Sequence, residues 1–310
     1  MKSLTHISEL QEGSVADAPA SACAARTRAQ DYYELTKPRM NFLVVITTMV
    51  GFYLASAGPL DWPLLVSTLL GTLLTAAGAS VLNQHAEREY DALMPRTRNR
   101  PLPAGRVEPG EALLFGVLLG IAGVACLALT VNLLTAMLGA FTLLSYVLVY
   151  TPMKRYSSLN TVVGAVPGAI PPVMGFTAAT GALSPQALAL FGILFFWQLP
   201  HFLAIAILYR RDYCAGGFKM LPCVDNEKLE LTHRQILLNG AALIPVTLVP
   251  AMLRVAGPLY FTAAVLLGLA FFSFCVSCAI SGERSDARKL FIASIIYLPV
   301  LLAVMMIDKL

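Results

Sequence analysis

The chain has 310 residues, 57% of them hydrophobic and only 13% charged, with a mean hydropathy of +0.70. A water-soluble domain of that length cannot bury so much apolar surface, so the composition excludes an ordinary soluble globule and implies a polytopic membrane protein. The formal charge of +4 is distributed very unevenly and reads as membrane sidedness, with no reason to infer nucleic acid from it.

Residues 1–30 are rich in Ala, Ser and Arg and lack the apolar core of a secretory signal. They are expected to form a disordered tail ahead of a single domain over 31–310. Glu9, Glu12 and Asp17 argue against an organellar presequence, which is normally poor in acids. Nine apolar runs follow, near 40–58, 63–83, 112–130, 132–150, 160–178, 187–208, 235–253, 258–280 and 288–307. Each suits a hydrocarbon core, which takes roughly 17–25 helical residues. The expected fold is therefore all-α: nine transmembrane helices bundled around a central cavity. The tail and the loops after the even-numbered spans hold 20 of the 22 Lys and Arg residues, and the other loops only Arg254 and Lys309. The tail and even-numbered loops should therefore be cytoplasmic, or matrix-facing in an organelle, with the C-terminus on the far side.

Span 2 runs into a dense polar cluster, Asn83 to Pro103. Asn83, Glu87 and Asp91 recur at i, i+4 and i+8, so on a helix they share one face, drifting only about 40° per step. Three oxygen ligands on one stripe suit a hard divalent cation. Ionisable groups at a membrane interface are costly unless used, although a solvated loop is the competing account. His85, inside the cluster, reads as a solvated histidine before a metal ligand. Arg96, Arg98 and Arg100 alternate up to Pro101 and Pro103; they either grip phosphate oxygens or enforce the positive-inside bias, and the residues fit both. Lys154 and Arg155, after Tyr150-Thr-Pro at the end of span 4, read the same way, with Tyr156 and Asn160 beside them.

Spans 5 to 7 contain Pro167, Pro171, Pro172, Pro200, Pro245 and Pro250, signifying either irregular packing or helices splayed around a ligand. In span 6, Trp197, Gln198 and His201 interrupt an apolar run. They need partners, found either in interhelical hydrogen bonds or in a large planar or polar substrate. The loop beyond, Tyr209-Arg-Arg-Asp212-Tyr213 through Pro222, then Asp225, Glu227 and Glu230, echoes the loop after span 2 as in a weak internal duplication. Two acidic clusters at one membrane surface can enclose a metal-bound diphosphate, each with its own cation. A secondary transporter would place its coupling ions near the midplane, whereas these acids gather at one face, which favours an enzyme. No disulfide framework is expected: Cys126, Cys275 and Cys278 fall inside spans, Cys23 is in the tail, and Cys214 and Cys223 lie in a reducing-side loop. Cys275-Val-Ser-Cys278 reads as small packing residues.

These motifs together resemble the intramembrane prenyltransferase (UbiA-type) superfamily and, within it, the protoheme IX farnesyltransferases, or heme O synthases. The resemblance spans nearly the whole chain after residue 30. Glu34-Leu-Thr-Lys37-Pro-Arg39 resembles the start of the family's first helix, and Asn83-x-x-x-Glu87-x-x-x-Asp91 its first acidic motif, with Glu87 where the wider superfamily usually has Asp. Thr97-Arg98-Asn-Arg100-Pro-Leu-Pro, Tyr150-Thr-Pro-Met-Lys154-Arg155, Asn160 to Gly175, Trp197-Gln-Leu-Pro-His201-Phe, and Asp212-Tyr213 through Met220-Leu-Pro222 resemble heme O synthase signatures, the last two being the specific ones. The second acidic motif is thin, because Arg210-Arg211 precede Asp212.

The resemblance implies transfer of a farnesyl group from farnesyl diphosphate to a vinyl group of heme B, giving heme O and diphosphate. It implies Mg²⁺ held by Asn83, Glu87, Asp91 and Asp212, and a diphosphate clamped by Lys154, Arg155 and Arg100. Arg98, Arg100, Tyr150, Asn160, Trp197, His201 and Tyr213 become the expected substrate-binding residues. It further implies residence in the lipid bilayer of a bacterial inner membrane, ahead of a mitochondrial one, and a downstream heme A synthase as the candidate protein partner. Prenyl transfer in quinone or chlorophyll-type biosynthesis is the nearest alternative and would use the same fold and diphosphate site.

Overall fold

A computed structural model describes residues 27–310; most of the expected tail, residues 1–26, lies outside the described residues. Described structure begins with a short helix, α1 (Arg28–Leu35), whose Thr27 and Gln30 form a reciprocal capping box. The first span is α2 (Pro38–Ala55) and the second α3 (Trp62–Leu93). Next come α4 (Pro109–Thr130), α5 (Leu133–Leu144), a π-helical segment at Ser145–Tyr150, α6 (Thr151–Tyr156), α7 (Asn160–Ala169) and α8 (Pro171–Thr180). The chain closes with α9 (Pro185–Leu208), α10 (Arg210–Ala215), α11 (Leu221–Val224), α12 (Glu230–Met252), α13 (Pro258–Ser281) and α14 (Arg284–Ile307).

Among the described residues nine helical stretches are long and apolar enough to cross a membrane, in the positions expected from the sequence. The fourth, Leu133–Tyr156, runs through α5, the π segment and α6, and the fifth, Asn160–Thr180, is α7 and α8 joined at Ile170. That joint precedes Pro171 and Pro172, which offer no N–H to continue the ladder. Pro200, Pro245 and Pro250 lie inside helices that continue past them. Local signals start the spans: Asp61 caps α3 through Leu64 N, Ser184 caps α9 through Ala187 N, and prolines occupy first-turn positions in α2, α3, α4, α8, α9 and α13.

With lipid outside, side-chain hydrophobicity does not separate core from surface, and close approach does. Leu129 and Ile280, 85% and 82% exposed, point outward as lipid-facing residues do. Helices α2 and α8 touch backbone to backbone, so that a Cβ on Gly175 would fall within the van der Waals radius of the Thr48 carbonyl, and one on Gly51 within that of Pro172. The largest apolar cluster joins α9, α12, α13 and α14 around Leu190, Ile193, Leu243, Tyr260, Phe271 and Leu301.

The basic loops gather at one end of the bundle. Lys219 N donates to the Lys154 carbonyl (2.7 Å) and Arg284 to that of Leu208 (3.0 Å), linking the ends of spans 4, 6 and 9. At the opposite end Lys309 donates to the carbonyls of Tyr53 and Ser56, and Gly257 N to that of Asp308. The C-terminus therefore lies at the face opposite the basic loops.

Candidate functional site

Helix α3 is 32 residues long and carries its last turns beyond its apolar run without a break. The stripe read from the sequence is thus physically continuous, and Asn83, Glu87 and Asp91 are 2%, 4% and 1% exposed. Buried charge must be paired, and each member meets a cation from a different segment. Lys37 Nζ donates to Asn83 Oδ1 (2.9 Å), Lys154 Nζ to Glu87 Oε1 (2.7 Å), and an Arg100 guanidinium N–H to Asp91 Oδ2 (2.7 Å). Asn83 also donates to Thr151 Oγ1 (3.1 Å).

Each cation is delivered by identifiable local structure. After α3 the chain folds back through Thr97, whose hydroxyl donates to the Asp91 carbonyl, and Pro101 prevents helix from resuming; Arg100 is thereby returned to Asp91. Lys154 follows the π segment, a feature frequent at functional sites, and lies 4.5 Å from the Tyr150 ring centre, with Tyr146 packed on Tyr150. Lys37 sits in the left-handed region at φ 48°, uncommon for a side-chain-bearing residue. Helix α1 holds this kink: Asp31 pairs with Arg106 (2.8 Å), Arg28 with Glu111 (2.7 Å), and Gln84 donates to the Leu35 carbonyl (2.7 Å). Burial chiefly, then the Arg100 charge, pushes the Lys37 ammonium down to about 7, with Glu87 and Asp91 opposing.

The second loop docks on this cluster. Phe218 and Met220 bury against Met94 and Tyr90 at the end of α3, and Asn160 Nδ2 donates to the carbonyls of Ser157 (2.6 Å) and Lys219 (3.0 Å). The Arg96 guanidinium lies over the rings of Tyr209 and Tyr213, 4.9 and 5.5 Å from their centres. Asp212 is half-buried in the first turn of α10 on the same loop. One expectation is corrected here: Cys214 and Cys223 form a disulfide. The chain reverses at Gly217 (φ 73°), bringing the two Cα atoms to 5.5 Å, a spacing that the compartment argument from sequence did not consider.

The structure therefore brings Asn83, Glu87, Asp91, Arg100, Tyr150, Lys154 and Asn160 together, with the loop of Asp212 and Tyr213 packed alongside. Arg155 lies beside them but is engaged with α3, donating to the Ala86 carbonyl (2.8 Å) and lying 3.8 Å from the Tyr90 ring centre; its Nε is buried without a partner. Arg98 is exposed. His85 is half-buried, and its Nδ1 is buried without a partner. Trp197 and His201 do not touch this cluster; both bond Ser294 of α14. Gln198 takes the interhelical option, donating to the Ala165 carbonyl (2.7 Å). Lys37 joins the site although the sequence marks it only as part of the Glu34–Arg39 entry to the first span.

The stripe offers a cation oxygen donors only, all buried and already aimed at positive charge. Among the described residues no three of His, Cys, Asp or Glu gather as a ligand group. A cation here would use Glu87, Asp91 and the Asn83 amide oxygen. That small set fits Mg²⁺, which is typically held by one or two carboxylates plus substrate phosphates.

Nine apolar helices among the described residues, with a buried cluster of acids and bases at one end, define the frame of a membrane-embedded enzyme. Residues 44–298 match the family model described as the UbiA prenyltransferase family, and the chain belongs to that family. It is similar to the protoheme IX farnesyltransferase of Solibacter usitatus, 47% identical over 90% of this chain and 99% of that protein. It is also similar to that of Myxococcus xanthus, 44% identical over 91% and 96%. Among solved structures, that of a digeranylgeranylglyceryl phosphate synthase superposes with a TM-score of 0.75 at 17% identity, covering 90% of this chain and 98% of that one. A UbiA homologue from Archaeoglobus fulgidus bound to GPP and Mg²⁺ superposes at 0.63 and 16%, covering 89% and 99%. These two likenesses concern the fold.

Proposed function

We propose that this chain transfers the farnesyl group of farnesyl diphosphate to a vinyl group of heme B, forming heme O and releasing diphosphate. The observation that carries the reading is the convergence of Lys37, Arg100 and Lys154, from three separate segments, on the one buried face formed by Asn83, Glu87 and Asp91. Relatives named protoheme IX farnesyltransferase, matched over nearly their whole length, support the choice of acceptor.

Ionising the allylic C1–O bond leaves negative charge on the diphosphate, and preorganised cations in a water-poor site stabilise it where it develops. Lys154 and Lys37 would exchange their present oxygen partners for phosphate oxygens, and Arg100 would follow from Asp91. Glu87, Asp91 and the Asn83 amide oxygen would hold Mg²⁺, which supplies Lewis-acid neutralisation of the leaving group, and Asp212 on the packed loop would offer a carboxylate to a second cation. Tyr150 presents its ring face to Lys154, with Tyr146 packed on it, and an allylic cation formed there would find π density. The vinyl carbon attacks C1, water adds to the resulting heme-centred cation, and a proton leaves, giving the hydroxyl. Carbon–carbon bond formation itself requires no general base.

The apolar farnesyl chain would extend among the spans, and the basic face would be cytoplasmic in a bacterial inner membrane, consistent with the Lys and Arg asymmetry. A heme-oxidising enzyme such as a heme A synthase is the natural recipient of the product. The test is to incubate purified protein with heme B, a phenolic acid, labelled farnesyl diphosphate and Mg²⁺ and to identify the labelled product by mass. Label on heme as hydroxyethylfarnesyl is expected; label on a phenolic acid instead would overturn the choice of acceptor.

A further inference from the structure

The geometry points to His201 Nε2 as the ligand of the substrate's heme iron, with Ser294 as the residue that sets its tautomer; this rests on the heme-acceptor reading. Ser294 Oγ lies 2.6 Å from the Phe291 carbonyl oxygen and 2.7 Å from His201 Nδ1. Two oxygens at that separation need a hydrogen between them, and the hydroxyl has only one. It therefore goes to the carbonyl, and the hydrogen between Ser294 and His201 must come from Nδ1. The imidazole is thus the Nδ1–H tautomer, and Nε2 carries a free lone pair. A donated second-ring N–H is the usual companion of histidine ligation, because it fixes ring orientation and raises ligand basicity.

The surroundings fit such a ligand. Among the described residues Nε2 has no hydrogen-bond partner, and it is not one of the sealed-in unpartnered atoms, which are Thr72 Oγ1, His85 Nδ1, Arg155 Nε and Tyr297 OH. The ring is held nearly parallel to Trp197 (centroids 5.1 Å, 20°) and to Phe291 (5.2 Å, 30°), and Trp197 Nε1 is itself tied to the Ser294 carbonyl (2.8 Å). Trp197, His201, Phe202 and Phe291 are all half-buried, and the Trp197 and Phe291 rings, nearly parallel to the imidazole, would stand edge-on to the face of a macrocycle ligated through Nε2 and fix the imidazole against rotation. Interhelical packing alone accounts for the Trp197 and Nδ1 bonds and leaves an open imidazole lone pair within an apolar span without a purpose.

The test uses the full chain in detergent with heme B and no prenyl donor. Resonance Raman of the ferrous complex should show an iron–histidine stretch that shifts when histidine is ¹⁵N-labelled. His201→Gln should lose it, and imidazole added to His201→Gly should restore it. Ser294→Ala should keep the ligand but weaken heme B binding about tenfold. Wild type should prefer heme B over metal-free protoporphyrin IX, and that preference should vanish in His201→Gln. A wild-type spectrum without an isotope-sensitive band, or equal affinity for the two porphyrins, overturns the proposal even if no variant folds. Farnesyl transfer by the same wild-type preparation, assayed by mass, separates the two failures: heme O formed without the band refutes only the ligation, whereas a phenolic product refutes the acceptor.

Discussion

Lys154 Nζ lies 2.7 Å from Glu87 Oε1, with the two side chains 14% and 6% exposed, so that a carboxylate at the end of span 2 is neutralised by the last turn of span 4. A buried pair of this kind is a poor source of net stability but a strong constraint once present, because removing one partner strands the other.

That asymmetry gives the first prediction. Lys154→Met should cost about 3–5 kcal/mol of stability by leaving Glu87 buried and unpaired, and adding Glu87→Gln should recover most of it. Turnover should stay lost in both. Thermal unfolding in detergent beside farnesyl transfer reads the two effects separately; recovered activity in the double variant would contradict a role in binding diphosphate.

Asp91→Ala should abolish turnover while the protein still inserts and folds, because Arg100 is partly exposed and can turn to water when its partner is removed. Near-normal farnesyl transfer by that variant at ordinary Mg²⁺ would sink the assignment of the α3 stripe.

The α2–α8 contact sets the distance between spans 1 and 5. Gly175→Ala should destabilise the bundle by about 1–3 kcal/mol or more, as overpacking does, because the obstructing atoms belong to the Thr48 backbone and cannot rotate away. A Tm unchanged from wild type would show that the helices separate without cost.

These sites differ in how far the sequence exposed them, and the reason is range. The Asn83, Glu87 and Asp91 stripe is local periodicity on one helix, legible without any partner. Lys37 was not legible as a site residue, because its position depends on a left-handed kink held by α1 through Arg106 and Glu111, some 75 to 83 residues away. Trp197 and His201 were recognisable as polar groups needing partners, but Ser294 is supplied by α14, 93 or more residues further on. The reach between Cys214 and Cys223 depends on the local reversal at Gly217, whereas the compartment bears only on whether the two thiols stay oxidised, so the pairing is not legible from either alone.

That disulfide closes residues 214–223, directly after Asp212 and Tyr213. Cross-linking a loop this short is worth about 2–3 kcal/mol in the chain-entropy account, chiefly by restricting the open loop. Cys214→Ser with Cys223→Ser, or a dithiol reductant, should speed amide hydrogen exchange over 212–223 about tenfold or more and raise KM for farnesyl diphosphate more than it lowers kcat. Identical exchange with and without reductant would show that burial of Phe218 and Met220 against Met94 alone holds the loop.

Asp225 anchors the other end of that loop to α12. Its carboxylate accepts hydrogen bonds from Thr232 N and Thr232 Oγ1 (both 2.7 Å), from Asn226 N (2.8 Å) and from Leu231 N (3.4 Å). Burial pushes the carboxyl up, and the bonds from Thr232, Asn226 and Leu231 outweigh it, leaving it below its ordinary value. A depressed carboxylate stabilises the fold above its unfolded pKa of about 3.9 and loses that contribution as pH falls through the lower folded value. Acid should therefore fray the first turn of α12 before the spans respond, and neutral pH should leave it intact. Hydrogen exchange at Leu231 and Thr232 between pH 6 and 3, compared with Asp225→Asn, reads this directly: protection that is lost with falling pH in wild type should be absent at every pH in the variant, and equal protection in both would show that the cap carries no charge dependence.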